Sequence, residues 1–329
     1  MAEMEQPLVV AKSPEANHVF RFQLKDVPVQ LVNAIRRIHL SETPTVELQD
    51  VVILQNTTAM PHEMLRHRVE MLPVNVRPTE DETILRAKIE LRIGPVTEEV
   101  KIVTTDDFKI DSARPDILMK DRDLGTPIFV MRMKKGEVLH IQARLGINPL
   151  SSQVCTTTYA YHIDPVRADE DRAKYIAEHP EIPDAEIVFN NAYIQRSYSR
   201  NPETGRPDWF DVTVETQGVI PAKELTLSAL KSLRERTKQW ADSVKETIVR
   251  HQEQGAYTFV STEGHTLGAL LQYILYAAPE MVRFVDYDVP HPLRQEMKLR
   301  VLTDKTPEEV LDFCVRKVTE YCMRIEAEL

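Results

Sequence analysis

Residues 257–289 read YTFVSTEGHTLGALLQYILYAAPEMVRFVDYDV. Tyr257-Thr258-Phe259-Val260 concentrates aromatic and β-branched residues and predicts a strand. From about His265 to Ala277, the residues Leu267, Leu270, Leu271 and Ile274 recur at three- and four-residue steps, which predicts a helix with one buried face. Pro279 closes it, and Val282 to Val289 predicts a second strand. After a break at His291-Pro292, Met297 to Leu302 predicts a third strand, leading into a terminal helix. Thr306 supplies a hydroxyl for its N-cap and Pro307 suits its first turn. Leu311, Val315, Val318, Cys322 and Ile325 then alternate four- and three-residue steps, a stripe that must pack on something.

The same order occurs at the other end of the chain. Val19, Phe20 and Phe22 mark a strand. A helix over 29–41 carries Leu31, Ile35 and Ile38 on one face, with Arg36 and Arg37 elsewhere on its surface. Pro44 ends it, and Val46 to Leu54 predicts a strand. Laying Leu31 on Leu267 also lays Ile35 on Leu271 and Ile38 on Ile274. This first copy finds its closing elements only after residue 205: a strand from Trp209 to Val214, then a helix from Pro221 to His251 with Leu230, Leu233, Trp240, Val244 and Ile248 along one side. At 1.5 Å per residue that helix would span about 46 Å, a length suited to an interface. The expected fold class is therefore α+β, with two β-α-β-β-α units in one chain. The first unit comprises 1–54 plus 206–251, an inserted segment covers 55–205, and the second unit is 252–329.

The insert reads as a mainly β domain, with strands at Ile84 to Ile93, Val100 to Thr104, Pro127 to Met133 and Val138 to Leu145, the last two joined by the turn Lys134-Lys135-Gly136. The charged stretch 165–184, centred on Asp169-Glu170-Asp171-Arg172, reads as a solvated helix or loop.

Composition narrows the function. The chain has 329 residues and a net charge of −10, which speaks against a protein that binds by neutralising phosphates. Its three cysteines form no CxxC, so neither a disulfide framework nor a Cys-rich zinc site is expected, and a reducing compartment fits. The N-terminus lacks the basic and apolar regions of a signal peptide, and no apolar run reaches membrane-span length, so an intracellular, soluble protein is expected. His62-Glu63-Met64-Leu65-Arg66-His67 resembles a stretched HExxH. Its histidines are five apart, where one metal needs four, so a small zinc metalloprotein using His62, Glu63 and His67 is the disfavoured alternative. Cys314 and Cys322 read as core residues. Gly264-His265-Thr266-Leu267-Gly268 lacks the spacing and lysine of a phosphate loop, and reads as a helix start capped by Thr262 or Thr266. No nucleophile elbow or dinucleotide fingerprint occurs. An assembly or binding protein with no catalytic residues, cofactor or metal is expected.

Asn33-Ala34-Ile35-Arg36-Arg37-Ile38 through Ser41-Glu42-Thr43-Pro44-Thr45 resembles the signature of the α-type subunits of cellular RNA polymerases: bacterial α, archaeal D and the third-largest subunit of polymerase II. Asn56-Thr57-Thr58, Glu63 and His67-Arg68-Val69-Glu70-Met71-Leu72-Pro73-Val74 are similar to that family's entry into its insert domain, except that Glu70 stands where glycine is expected. Asp123-Leu124-Gly125-Thr126-Pro127-Ile128 and Met133-Lys134-Lys135-Gly136-Glu137 are similar to its insert strands. Glu263-Gly264-His265-Thr266-Leu267-Gly268, Tyr287, Pro290-His291-Pro292-Leu293 and Leu299-Arg300-Val301-Leu302-Thr303 instead resemble the small partner, archaeal L or the eleventh subunit of polymerase II.

The resemblance implies a fusion of two subunits that pair with each other, a non-catalytic platform for a DNA-directed RNA polymerase. It implies pairing through Leu31, Ile35, Ile38, Leu230, Leu233, Trp240, Leu267, Leu271, Ile274, Leu311, Val315 and Val318, over more than ~2,000 Å². Asn33, Arg36, Arg37, His67 and Arg68 would dock the largest and second-largest subunits. Small accessory subunits would be further partners, DNA and RNA would be met only indirectly, and no membrane is involved. Fusions of this kind resemble those of large DNA viruses, which implies a host-cytoplasmic virus factory and the virion as locations, with the nucleus as the alternative.

Overall fold

The computed structural model describes residues 7–13, 18–148, 155–251, 254–291 and 293–329; residues 1–6 and Pro292, read above, lie outside them. The first elements are β1 (Val9–Lys12), β2 (Val19–Lys25), α1 (Val29–Ser41), β3 (Thr45–Asn56), α2 (His62–Glu70), α3 (Asp81–Arg86), β4 (Lys88–Ile93), β5 (Val100–Thr104) and β6 (Phe108–Asp111). Next come β7 (Phe129–Lys134), β8 (Leu139–Asn148), β9 (Cys155–Tyr161), α4 (Pro165–Glu178), α5 (Ala185–Ala192), β10 (Trp209–Thr216) and α6 (Ala222–Val244). The chain closes with β11 (Ile248–Arg250), β12 (Ala256–Ser261), α7 (His265–Tyr276), β13 (Phe284–Asp288), β14 (Met297–Leu302) and α8 (Pro307–Glu328).

These elements form two compact units, the first from Met1–Ile38, Thr157–Val214 and Thr226–Leu329, the second from His39–Thr156 and Glu215–Leu225. The first contains two four-stranded sheets, ordered β1-β2-β10-β9 and β11-β12-β14-β13. The two orders correspond position by position. In each, a short edge strand is followed by the strand preceding the first helix, then the strand preceding the long helix, then the middle strand. Alternation decides which face is inward. In β2, Phe20, Phe22 and Leu24 are buried, as are Met297, Leu299 and Val301 in β14. β14 pairs antiparallel with both neighbours, Phe259 opposite Leu299 and Val285 opposite Val301.

The helices bury the stripes expected of them. Leu31, Ile35 and Ile38 of α1 are buried, as are Leu267, Leu271 and Ile274 of α7, Leu230, Leu233 and Trp240 of α6, and Leu311 and Val318 of α8; Val315 is half-buried. α8 starts as its sequence predicts. The Thr306 hydroxyl accepts the Glu309 N–H at 3.3 Å, and a Glu309 carboxylate oxygen accepts the Thr306 N–H at 2.8 Å. Cys314 and Cys322 lie in the core.

Three expectations for the first repeat and its neighbours need correction, and a fourth falls in the second unit. The long helix ends at Val244 rather than His251, because Thr247-Ile248-Val249 is a β-branched run better suited to a pleated surface. Ile248 then pairs opposite Phe259, and the Thr247 hydroxyl donates to the Val260 carbonyl at 2.8 Å. Residues 46–54 do form a strand, but it is not the middle strand of the first repeat, a place taken by β9. The buried apolar side chains of β3, Val46, Leu48 and Val51, belong to the core of the second unit. Gly264 caps α7 without a side-chain bond, so neither Thr262 nor Thr266 does so.

The second unit is built on the sheet β3-β8-β4-β6 with the ribbon β5-β7, all pairs antiparallel. Leu65 and Val69 of α2 bury into the same core as Ile89, Leu91, Ile141 and Met133. Gly136, at φ +82°, makes the turn between β7 and β8. Residues 84–86 belong to α3, so the strand expected from Ile84 begins only at Lys88.

Candidate functional site

Among the expected docking residues, three lie on α1. Its apolar stripe faces inward, which leaves Asn33 and Arg36 half-buried and Arg37 exposed. Arg36 donates through Nε (3.1 Å) and Nη2 (3.0 Å) to the Asn33 side-chain oxygen one turn back. That double contact fixes the planar fork while leaving its other N–H groups open to an acceptor. Arg37 turns elsewhere. Its Nε donates to the Thr266 hydroxyl on α7 at 2.6 Å, so the side chain bridges the two repeats.

Further polar contacts join the same two halves. Arg236 of α6 donates to Glu263, ahead of α7, with Nε 2.8 Å from the carboxylate. This pair is mostly buried, at 24% and 17% exposure, where an ion pair is screened far less than at the surface. Arg234 reaches Glu326 of α8 at 2.9 Å. At the chain's two ends, the Val9 N–H donates to the Glu328 carboxylate at 2.6 Å, and the Lys12 ammonium donates to the carbonyls of Glu328 (2.9 Å) and Leu329 (2.7 Å). Sequence reading missed these pairs, since their partners lie up to 319 residues apart. Gly268 has a packing reason: a Cβ there would lie 2.6 Å from the Tyr287 ring.

His67 and Arg68 lie on α2 in the second unit, both exposed, with the Arg68 guanidinium 5.6 Å from the centre of the Phe129 ring. The five expected docking residues thus fall in different compact units, three in the first and two in the second. His62, Glu63 and His67 do not converge, and among the described residues no group of three or more His, Cys, Asp or Glu is arranged to hold a metal. No described helix is long and apolar enough to cross a membrane.

Two sheets of one strand order, joined by side-chain pairs that run from one repeat to the other, define a repeat scaffold. Comparison with known families identifies which one. Residues 21–237 and, separately, residues 258–328 match the RNA polymerase Rpb3/Rpb11 dimerisation domain. The chain belongs to that family, as an α-like, non-catalytic RNA polymerase subunit. It is 24% identical over 266 residues to the DNA-directed RNA polymerase subunit Rpo3 of Aeropyrum pernix, covering 68% of this chain and 91% of the relative. Against the DNA-directed RNA polymerases I and III subunit rpac1 of Dictyostelium discoideum, identity is 23% over 283 residues, 72% of this chain and 81% of the relative. A conjugation stage-specific protein of Tetrahymena thermophila is 29% identical over 171 residues, 42% of this chain, and the chain spans about half (54%) of that protein.

Proposed function

We propose that this chain is the assembly platform of a multisubunit DNA-directed RNA polymerase, a single polypeptide whose D-like and L-like parts pair with each other. The observation that carries this reading is that two separate stretches match one dimerisation family. Their sheets also share one strand order. Fusion makes the pairing intramolecular, with an effective concentration of order mM for a short tether, and sets the stoichiometry at one to one. The inserted domain interrupts the D-like part. On the same resemblance, the fused arrangement points to a large DNA virus transcribing in the host cytoplasm.

In this reading the largest and second-largest subunits carry the catalysis. They dock on the face presenting Asn33 and Arg36, and on His67 and Arg68 of the inserted domain. Arg37 serves the seam between the repeats, since its Nε is committed to Thr266. Arg36, braced by Asn33, offers its free N–H groups to a carboxylate or backbone carbonyl of a large subunit. Small accessory subunits complete the assembly, and nucleic acid is met through the large subunits.

Arg36→Glu tests the docking role. The variant chain is expected to stay folded but to lose co-purification with the second-largest subunit. Full recovery of the complex would remove Arg36 from the docking face.

A further inference from the structure

The first unit contains a cavity of about 520 Å³ between α4 and the segment 189–200. One wall is the stripe Arg167, Asp171, Lys174, Tyr175 and Glu178 of α4; the other brings Tyr193, Arg196 and Arg200. The charged residues lining it are four cations and two carboxylates, in a chain whose net charge is −10. One carboxylate is already used. Asp171 accepts the Ser197 hydroxyl at 2.6 Å and faces Arg167 at 3.6 Å, so it ties the two walls together. Glu178 holds Lys174 loosely, at 3.8 Å.

Arg196 and Arg200 are different. The Arg196 guanidinium lies over the Tyr193 ring, 4.7 Å from its centre, and that of Arg200 over Tyr198 at 4.6 Å. Among the described residues neither has an ion-pair partner. A guanidinium resting over an aromatic ring is restrained before any ligand arrives, and N–H groups remain available to an acceptor. Two such forks and a lysine at one cavity match a group with about two negative charges and three acceptor oxygens, which a phosphate monoester has and a carboxylate lacks.

The charge pattern also restricts what carries the phosphate. A nucleic-acid strand needs a continuing track of cations. Here the neighbouring surface offers no such track: Asp169 of α4 pairs with Arg172 at 2.6 Å, Glu186 of α5 lies 3.8 Å from the same Arg172, and Glu170 is exposed beside them. A single phosphate on an otherwise uncharged chain needs no such track. We propose that this cavity binds a phosphorylated side chain displayed by a peptide segment of a partner protein.

The probes that test this are N-acetyl-O-phosphoserine amide and N-acetyl-O-phosphotyrosine amide, titrated with the full chain and followed by the broadening of their phosphorus-31 resonances. Saturable broadening is expected for at least one of them. Inorganic phosphate should displace it and N-acetyl-serine amide should not. Combining Arg196→Ala with Arg200→Ala should weaken binding at least about tenfold, the loss expected when charged hydrogen bonds are removed. Both side chains are exposed, so the thermal midpoint of the variant should match that of the parent. Absence of broadening with both probes would overturn the proposal. So would an affinity indifferent to the double substitution, or displacement of the probes by single-stranded RNA at lower phosphate concentration than by inorganic phosphate.

Discussion

Cys314 and Cys322 lie on α8 with their thiols wholly inside the core, and burial pushes both up to about 12 from an ordinary value of 9.0. A buried thiolate has no water to solvate it, so the folded chain keeps these protons that the unfolded chain releases. Because the folded value is the raised one, the stabilisation is complete below about 9 and is lost as pH climbs from there toward 12. Urea midpoints should therefore hold steady up to about pH 9 and fall above it. The fall should be shallower in a Cys314→Ala, Cys322→Ala variant. A slope unaffected by removing both thiols would assign the alkaline loss to other groups. The cysteines were readable as core residues because they sit on an amphipathic helix. Arg37 was not readable in the same way. Its position on α1 says only that it is off the buried face, and Thr266 lies 229 residues away.

At the scale of elements, local chemistry decided most starts and tertiary pairing decided several ends. Thr306-Pro307-Glu308-Glu309 carries its capping geometry in the sequence, and the structure forms both reciprocal bonds. Thr306→Ala removes the hydroxyl acceptor and should cost about 1 kcal/mol. That corresponds to a thermal midpoint lower by about 2–4 °C, measurable by differential scanning calorimetry. Thr306→Ser should restore it. The end of α6 was harder to read, since Trp240, Val244 and Ile248 keep a helical interval past the last helical residue. Only the pairing of Ile248–Arg250 with Tyr257–Phe259 turns that stretch into a strand. β3 shows the same limit. Its residues specify a strand with one buried face, but nothing local selects β8 as its neighbour over the sheet of the first repeat.

For the molecule as a whole, the first unit draws on both ends of the chain and the middle, so its integrity depends on contacts between distant segments. On the proposed pairing, coexpressed fragments 1–251 and 252–329 should purify as a stable complex, and the Arg236–Glu263 and Arg234–Glu326 pairs join the two repeats. Separate elution of the two fragments would count against intramolecular pairing as the basis of the scaffold. The sequence by itself determined the α+β class, the repeated helix faces, the cap of α8 and the resemblance to polymerase subunits, since each rests on periodicity or short motifs within one segment. Tertiary structure alone decided that β9 completes the first sheet, that Arg37 turns toward the second repeat, and that two aromatic-backed arginines meet α4 at one cavity. Those outcomes depend on which distant segments become neighbours, and side-chain periodicity specifies a buried face without specifying what covers it.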